Sequence, residues 1–178
     1  MELQASRFAA RVGPDGEPVL LADQDRSRWD RTLIAHGLAA LNRATRLGRP
    51  LGPYTLQAAI AAVHARAPSF AETDWEAIAA LYEALAQVAP SPVVELNRAV
   101  ALLHADGAEA ALEVLDAIAD DPRMRRYHLY GAVRGDVLMR LGRHGEAAEA
   151  LEQAADLAPT QRERTLLLER AAAAAQRA

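Results

Sequence analysis

Apolar residues recur at intervals of three and four through most of the chain, and Gly, Pro and capping residues separate the stretches that carry them. This pattern predicts helices joined by short turns. The clearest unit runs from Tyr130 to Pro159. In it Gly135, Leu138 and Leu141 share one face of a first helix, Gly142 supplies the left-handed residue that ends it, and Arg143-His144-Gly145 makes the turn. Ala147, Leu151 and Ala154 then recur at helical spacing until Pro159 stops a second helix. The small residues Gly135, Ala147 and Ala154 allow the two helices to approach closely, and Leu138 and Leu151 fill the space between them.

The rest of the chain punctuates itself in the same way. Leu3, Phe8 and Val12 fall on a helical stripe over residues 2–12 with no capping residue before it, so the chain is expected to start inside a helix of a longer parent. Gly13-Pro14-Asp15-Gly16-Glu17-Pro18 is turn chemistry, and Val19-Leu20-Leu21 reads as extended. Ser27 with Asp30 resembles a capping box opening a helix through Trp29, Leu33, Ile34, Leu38 and Leu41 to about Leu47, closed by Gly48-Arg49-Pro50. Gly52-Pro53 starts the next with proline at its first position, running through Tyr54, Leu56, Ile60 and Val63. Thr73 with Glu76 suggests a second capping box, and Trp75, Ile78, Leu81, Tyr82, Leu85 and Val88 form the apolar face of a helix ending before Pro90. Ser91-Pro92 opens a helix closed by Gly107, Ala110 to Ile118 forms another before Asp120-Asp121-Pro122, and Thr160 with Glu163 caps a last helix through Leu166, Leu167 and Leu168.

The second helices repeat. Glu146 to Pro159 and Glu109 to Pro122 have the same separation, and Glu76 to Pro90 is one residue longer. Three helix pairs follow, with 37 residues from Pro122 to Pro159 against the roughly 34 of the tetratricopeptide consensus and with Leu or Ala at most of its aromatic positions. The pattern resembles degenerate repeats of that kind, which stack on their own copies and need a final helix to cover the exposed flank. The expected fold is therefore all-α, a tetratricopeptide-like right-handed array of helical hairpins with about nine helices. Residues 1–52 form a less regular N-terminal helical portion with a turn-rich loop, and residues 53–178 the repeats with their capping helix.

Composition narrows the function classes. With 178 residues, 51% of them hydrophobic, the chain can bury roughly 70% of its unfolded surface. Its apolar runs are broken by charge well before the length of a membrane span, and no cleavable signal pattern is present, so a cytoplasmic domain with no membrane partner is expected. Cysteine is absent, which excludes disulfides and thiolate zinc sites. The net charge is −4, from 20 Lys+Arg against 24 Asp+Glu, whereas a surface built to neutralise phosphates leaves a basic excess; direct DNA binding is not expected.

Candidate chemistry is sparse. His36, His64, His104, His128 and His144 lie on different segments without an H-E-x-x-H or i, i+4 pair, so no zinc set is visible. Asp15, Glu17, Asp23 and Asp25 lack the spacing of an EF-hand. Ser6, Ser27, Ser69 and Ser91 have no nucleophile-elbow context, and Asp120-Asp121 reads as a solvated turn rather than an acid pair. No phosphate loop is present, and neither enzymatic activity nor a cofactor or metal is expected. The residues with interaction chemistry are polar groups on the first helices of the pairs, which line the concave face of a stacked array. Asn97 and Arg98 sit among Leu96, Val100 and Leu103, and Arg134 and Asp136 among Val133 and Leu138. Arg holds carboxylates bidentately and Asn fixes extended backbone. The alternative is structural: Asn97 bonding a neighbouring helix end, and Arg134 pairing with Asp136 or a Glu on the adjacent helix. Tyr127, His128 and Tyr130, after Arg123, Arg125 and Arg126, form an aromatic cluster suited either to anchoring a partner or to inter-repeat core.

Three phrases go beyond generic repeat features: LLADQDRSRWDRTLIAHGLAALNRATRLGRPLGPYTLQAAIAAVHARAPSFAETDWEAIAALYEAL, SPVVELNRAVAL and YHLYGAVRGDVLMRLGRHGEAA. Together, in this order, they resemble the C-terminal extension of a group of extracytoplasmic-function sigma factors of bacterial RNA polymerase. The resemblance covers essentially the whole chain. It implies a regulatory or protein-interaction module of a transcription initiation factor whose promoter-reading regions lie upstream. The implied partners are the sigma regions of the same polypeptide, core polymerase or a regulatory protein. A free-standing scaffold of tetratricopeptide type and a small-molecule sensor with a pocket around Asn97 and Arg134 are the alternatives, and a homodimer through an exposed N-terminal flank is a further expectation.

Overall fold

The computed structural model describes residues 2–14, 16, 19–48 and 50–178. Among these residues the chain forms nine α-helices and no β-strand, the expected all-α array of helical hairpins. No helix among them is long and apolar enough to cross a membrane. The chain divides into two compact units, residues 1–89 and 90–178. Asp15, Glu17 and Pro18 of the turn-rich loop, and Arg49 of the turn after Leu47, lie outside the described residues.

In the first unit α1 (Glu2–Ala5) is short. The predicted stripe breaks there: Leu3 is buried, but Phe8 and Val12 are 63% and 46% exposed, because the chain turns at Ser6, whose hydroxyl donates to the Leu3 carbonyl. Leu20 is extended as expected, whereas Leu21 begins a 3-10 turn to Asp23. A further 3-10 turn, Arg26–Arg28, absorbs Ser27. The cap of α2 (Arg31–Arg46) is instead Asp30, whose carboxylate accepts from Thr32 N and Leu33 N. Trp29 just before that cap and Ile34 in the first turn share one core cluster with Leu3 and Leu41, the arrangement of a hydrophobic staple. α3 (Pro53–Arg66) begins with proline in its first turn as predicted, though Tyr54 is exposed. α4 (Trp75–Val88) is capped by Asp74 rather than Thr73, and Val88 at its end is exposed. In both helices the cap thus moves from the expected hydroxyl, of Ser27 or Thr73, to an aspartate, whose ionised carboxylate is well suited to accept from helix N–H groups.

The second unit is more regular. α5 (Pro92–Ala105) is capped by Ser91, and Gly107, at φ +105°, separates it from α6 (Ala108–Ala117). After a 3-10 turn at Met124–Arg126 come α7 (His128–Arg140), α8 (His144–Asp156) and α9 (Gln161–Ala175). His144 and Gly145, predicted as turn, begin α8. The reversal is tighter: Gly142 sits at φ +72°, its N–H donates to Met139 O, and Arg143 N–H donates to Leu138 O, the two bonds of a Schellman motif. Gly131 and Gly135 set the spacing of α7 and α8. A methyl group at 135 would lie 2.6 Å from Leu151 Cγ, and one at 131 would lie 2.9 Å from the Ala150 carbonyl oxygen. Leu138, Ala147, Leu151 and Ala154 are buried in that interface and pack with Leu167, Ala171 and Ala174 of α9. Leu96, Leu103, Leu115, Met124 and Val137 form a second cluster around α5, α6 and α7. Thr160 caps α9, accepting from Glu163 N–H, while Leu166 and Leu168 flank the buried Leu167 and remain exposed.

Candidate functional site

The polar residues of interest on α5 and α7 have separate fates. Asn97 is exposed and its amide donates to Val93 O, one turn back in its own helix, rather than to a neighbouring helix end. Arg98 pairs with Glu95 of the same helix, Nε 2.9 Å from Oε2. Arg134 crosses to α6, where Nη1 lies 2.5 Å from Asp116 Oδ1. Asp136 pairs with Arg170 of α9. The expected Arg134–Asp136 pair therefore does not form: two residues apart on a helix, the side chains point about 200° apart and reach different neighbours.

The aromatic turn is partly core. Tyr127 and Tyr130 pack against the α5–α7 cluster, and the Tyr130 hydroxyl donates to Leu115 O at 3.1 Å, tying α7 to α6. Burial raises the Tyr130 hydroxyl pKa, with Arg134 opposing. For Arg134 itself, burial pulls the pKa down, but the Asp116 hydrogen bond together with Tyr130 and the Asp116 charge outweighs it, and the net shift is upward. The guanidinium is held charged. His128 packs edge-on against Tyr127, at 5.8 Å between ring centres, and faces Glu163 at 3.9 Å.

What the structure brings together is Tyr127, Tyr130 and Arg134. They line a cleft of about 450 Å³ with Met124, Arg125, Gly131, Ala150, Gln153, Ala154 and Leu157 among its other walls. Asn97, Arg98, His128 and Asp136 do not line it. Gly131, Gln153 and Leu157 were not singled out from the sequence. Gly131 and Gly135, four residues apart, do place two side-chain-free positions on one helix face, a signal that was available.

A different polar centre lies in the first unit, around Arg26. Its side chain is buried; Nη1 donates to His64 O at 2.7 Å and to Ala67 O at 2.9 Å, and Nη2 to Thr73 Oγ1 at 3.0 Å. The Thr73 hydroxyl in turn donates to Ser69 O. One guanidinium thus terminates α3 and holds the loop to α4. The guanidinium carbons of Arg26 and Arg7 lie 5.0 and 5.2 Å from the Trp29 ring centre. Burial, with Arg11 and Arg26 adding, lowers the Arg7 pKa to about 10. Burial, with Arg7 and Arg26 adding, lowers that of His64 to about 4, so His64 is neutral. Its ring packs edge-on against Trp75 at 5.4 Å. This centre ties together elements of the first unit, and Thr73 belongs to it instead of to a helix cap.

Among the described residues no three His, Asp or Glu side chains gather where they could hold a metal ion. Asp121 accepts from the Arg123 side chain and backbone, which hold its carboxyl at about 2, and Asp120 pairs with Arg125. The two carboxylates are held by separate arginines in a turn, as the sequence suggested.

The fold and the cleft define an all-helical protein of hairpin type. A model of a family of unknown function (DUF6596) matches residues 1–45, which include α1 and most of α2. The chain is also 49% identical over 156 residues to an uncharacterized protein of Rhizobium meliloti (strain 1021), a match taking in 88% of the chain and 36% of that protein. It spans about a third of the length of this curated relative. No solved structure matches the chain with significance.

Proposed function

We propose that this chain is the C-terminal regulatory domain of a bacterial extracytoplasmic-function sigma factor, acting in the cytoplasm as a protein-interaction module. It would control transcription initiation through contacts with the sigma regions, core polymerase or a regulatory protein, without cofactor, catalysis or DNA contact of its own. The observation that carries this reading is the ordered set of sigma-extension-like phrases spread over the chain, from Leu20 to Ala148. The hairpin architecture is compatible with it, because stacked helix pairs present extended side-chain surfaces to other polypeptides. A relative nearly three times as long as the matched segment is compatible with a module carried by a larger protein.

The test is a titration of the chain against the sigma regions encoded with it, with core polymerase as a second bait. Saturable binding to either supports the reading, the first arm indicating intramolecular control and the second recruitment. Absence of binding to sigma regions, polymerase and any protein partner in the cell overturns it. The small-molecule alternative draws on one observation, the cleft containing Arg134, but Asn97 is no part of that cleft.

A further inference from the structure

The first unit gathers arginines on neutral partners. Arg7 and Arg11 flank the 3-10 turn Phe8–Ala10, and Arg26 opens the turn Arg26–Arg28. The Asp30 N–H donates to Ser6 O at 2.9 Å, which lays the two segments side by side. Arg26 spends both Nη groups on carbonyls and the Thr73 hydroxyl, and Arg11 Nη2 donates to Gln4 Oε1. Arg7 makes one long bond, from Nε to Gln24 Oε1 at 3.4 Å, and among the described residues its Nη groups meet no acceptor. Glu72 acts on Arg26 through its charge, and its carboxylate is engaged by the Ser69 hydroxyl. In the second unit, by contrast, Arg98, Arg134, Arg143 and Arg170 each pair with a carboxylate.

A second observation falls at the same place. Trp29 is 3% exposed, and its indole N–H is buried without an acceptor among the described residues. The guanidinia of Arg7 and Arg26 both lie against that ring. The Arg7 pKa is drawn down by burial and by the charges of Arg11 and Arg26, the direction expected where like charges crowd together. An acceptor carrying negative charge would answer the guanidinium edge and the indole N–H at once.

We infer that Arg7 and the Trp29 indole N–H form a site for a phosphate group, with Arg11 and Arg26 supplying the surrounding positive charge. A phosphate that takes the guanidinium edge with two oxygens keeps others for the indole N–H, and its second charge draws on the neighbouring arginines, which a monovalent carboxylate does less well. The site lies within the first unit and does not depend on the function proposed above.

The test uses the full chain with isotopically labelled tryptophan and reads the indole N–H signals of Trp29 and Trp75 by NMR, assigned with Trp75→Phe. Inorganic phosphate, phenyl phosphate and acetate are titrated at an ionic strength held constant with chloride. The expected result is a saturable downfield movement of the Trp29 signal with inorganic phosphate, acetate binding more weakly, and about tenfold weaker phosphate binding in Arg7→Gln, the loss of a charged hydrogen bond. Arg7→Lys keeps the charge without the planar fork and should also bind more weakly than the native chain; thermal melts show whether both variants fold, and this second one serves if Arg7→Gln does not. Tighter binding of phenyl phosphate would make the occupant the phosphoryl group of a larger ligand, and binding of inorganic phosphate alone would make it the free ion; both support the site. A Trp29 signal that stays still, a movement that never saturates and so marks an adventitious ion only, equal binding of acetate, or an affinity unchanged by the Arg7 variants would each overturn it.

Discussion

The two units bury different things. The first is organised by a charged side chain: the Arg26 guanidinium is inside, on the last carbonyls of α3 and the Thr73 hydroxyl, with Trp29 beside it. The second is organised by the absence of side chains, since Gly131 and Gly135 bring α7 against Ala150, Leu151 and Ala154, and its charges form pairs on the surface between helices. Directional bonds let the first unit tolerate 3-10 turns and irregular connections, because one rigid fork fixes several loops at once. Shape complementarity suits a unit of repeated hairpins, where every helix has a similar neighbour. A buried arginine is hard to replace by any residue, whereas a close helix contact is hard to enlarge by even one methyl group.

The largest expected effect follows from the buried fork. Arg26→Met keeps much of the volume but strands the His64 and Ala67 carbonyls, at about 1–2 kcal/mol each, so unfolding should be easier by about 3 kcal/mol. The protein has two tryptophans, Trp29 and Trp75, both in the first unit, so urea unfolding followed by Trp fluorescence reads this unit directly. An unchanged midpoint would break the comparison. If far-UV circular dichroism and fluorescence shift together, the two units unfold as one cooperative block.

Next in size is a pH effect on the same unit. The folded-state pKa of His64, about 4, lies below the ordinary value, so the unfolded chain takes up a proton that the folded chain refuses. Stability from neutral His64 is fully present above about pH 6.5 and falls as the pH drops toward 4, by about 2 kcal/mol at pH 5. Fluorescence-detected unfolding at pH 7 and pH 5, with His64→Gln as the control that loses this dependence, measures it. Equal pH dependence in the two proteins would remove the charge-averse core from the picture of the first unit.

The smallest effect belongs to the second unit. Gly135→Ala gains about 1 kcal/mol of helix propensity but pushes a methyl group against Leu151, where overpacking costs about 1–3 kcal/mol. A net loss of about 1 kcal/mol is expected by circular dichroism. In the double variant with Leu151→Ala the penalty of the added methyl should disappear, since the atoms it meets belong to the end of that leucine. A stabilised single variant would mean that Leu151 yields easily and that close approach is not what sets this hairpin.

The hairpins were legible in sequence wherever local rules decide. Gly107, Gly142, Ser91 and Pro53 mark their helix ends by backbone and capping chemistry that needs no distant partner, and Leu138, Leu151 and Leu167 lie on the faces their spacing assigns. The misreadings share one cause. Thr73 looked like a cap but its hydroxyl is taken by Arg26, 47 residues away in the chain, and Phe8 looked like a stripe residue in a helix that ends at Ala5. Of the candidate site, the sequence marked Tyr127, Tyr130 and Arg134, yet placed them with Asn97 and Asp136, which helix periodicity alone cannot separate.

The sequence by itself determined the helix periods, the small-residue seam and most chain reversals, because these depend on contacts within a few residues. Only the tertiary structure decided which guanidinium is buried, which carboxylate each surface arginine meets, and that Gly131 and Ala154 leave a cleft beside two tyrosines. Those outcomes depend on where separate helices come to lie, and long flexible side chains such as Arg26 and Arg134 can reach several partners until packing selects one.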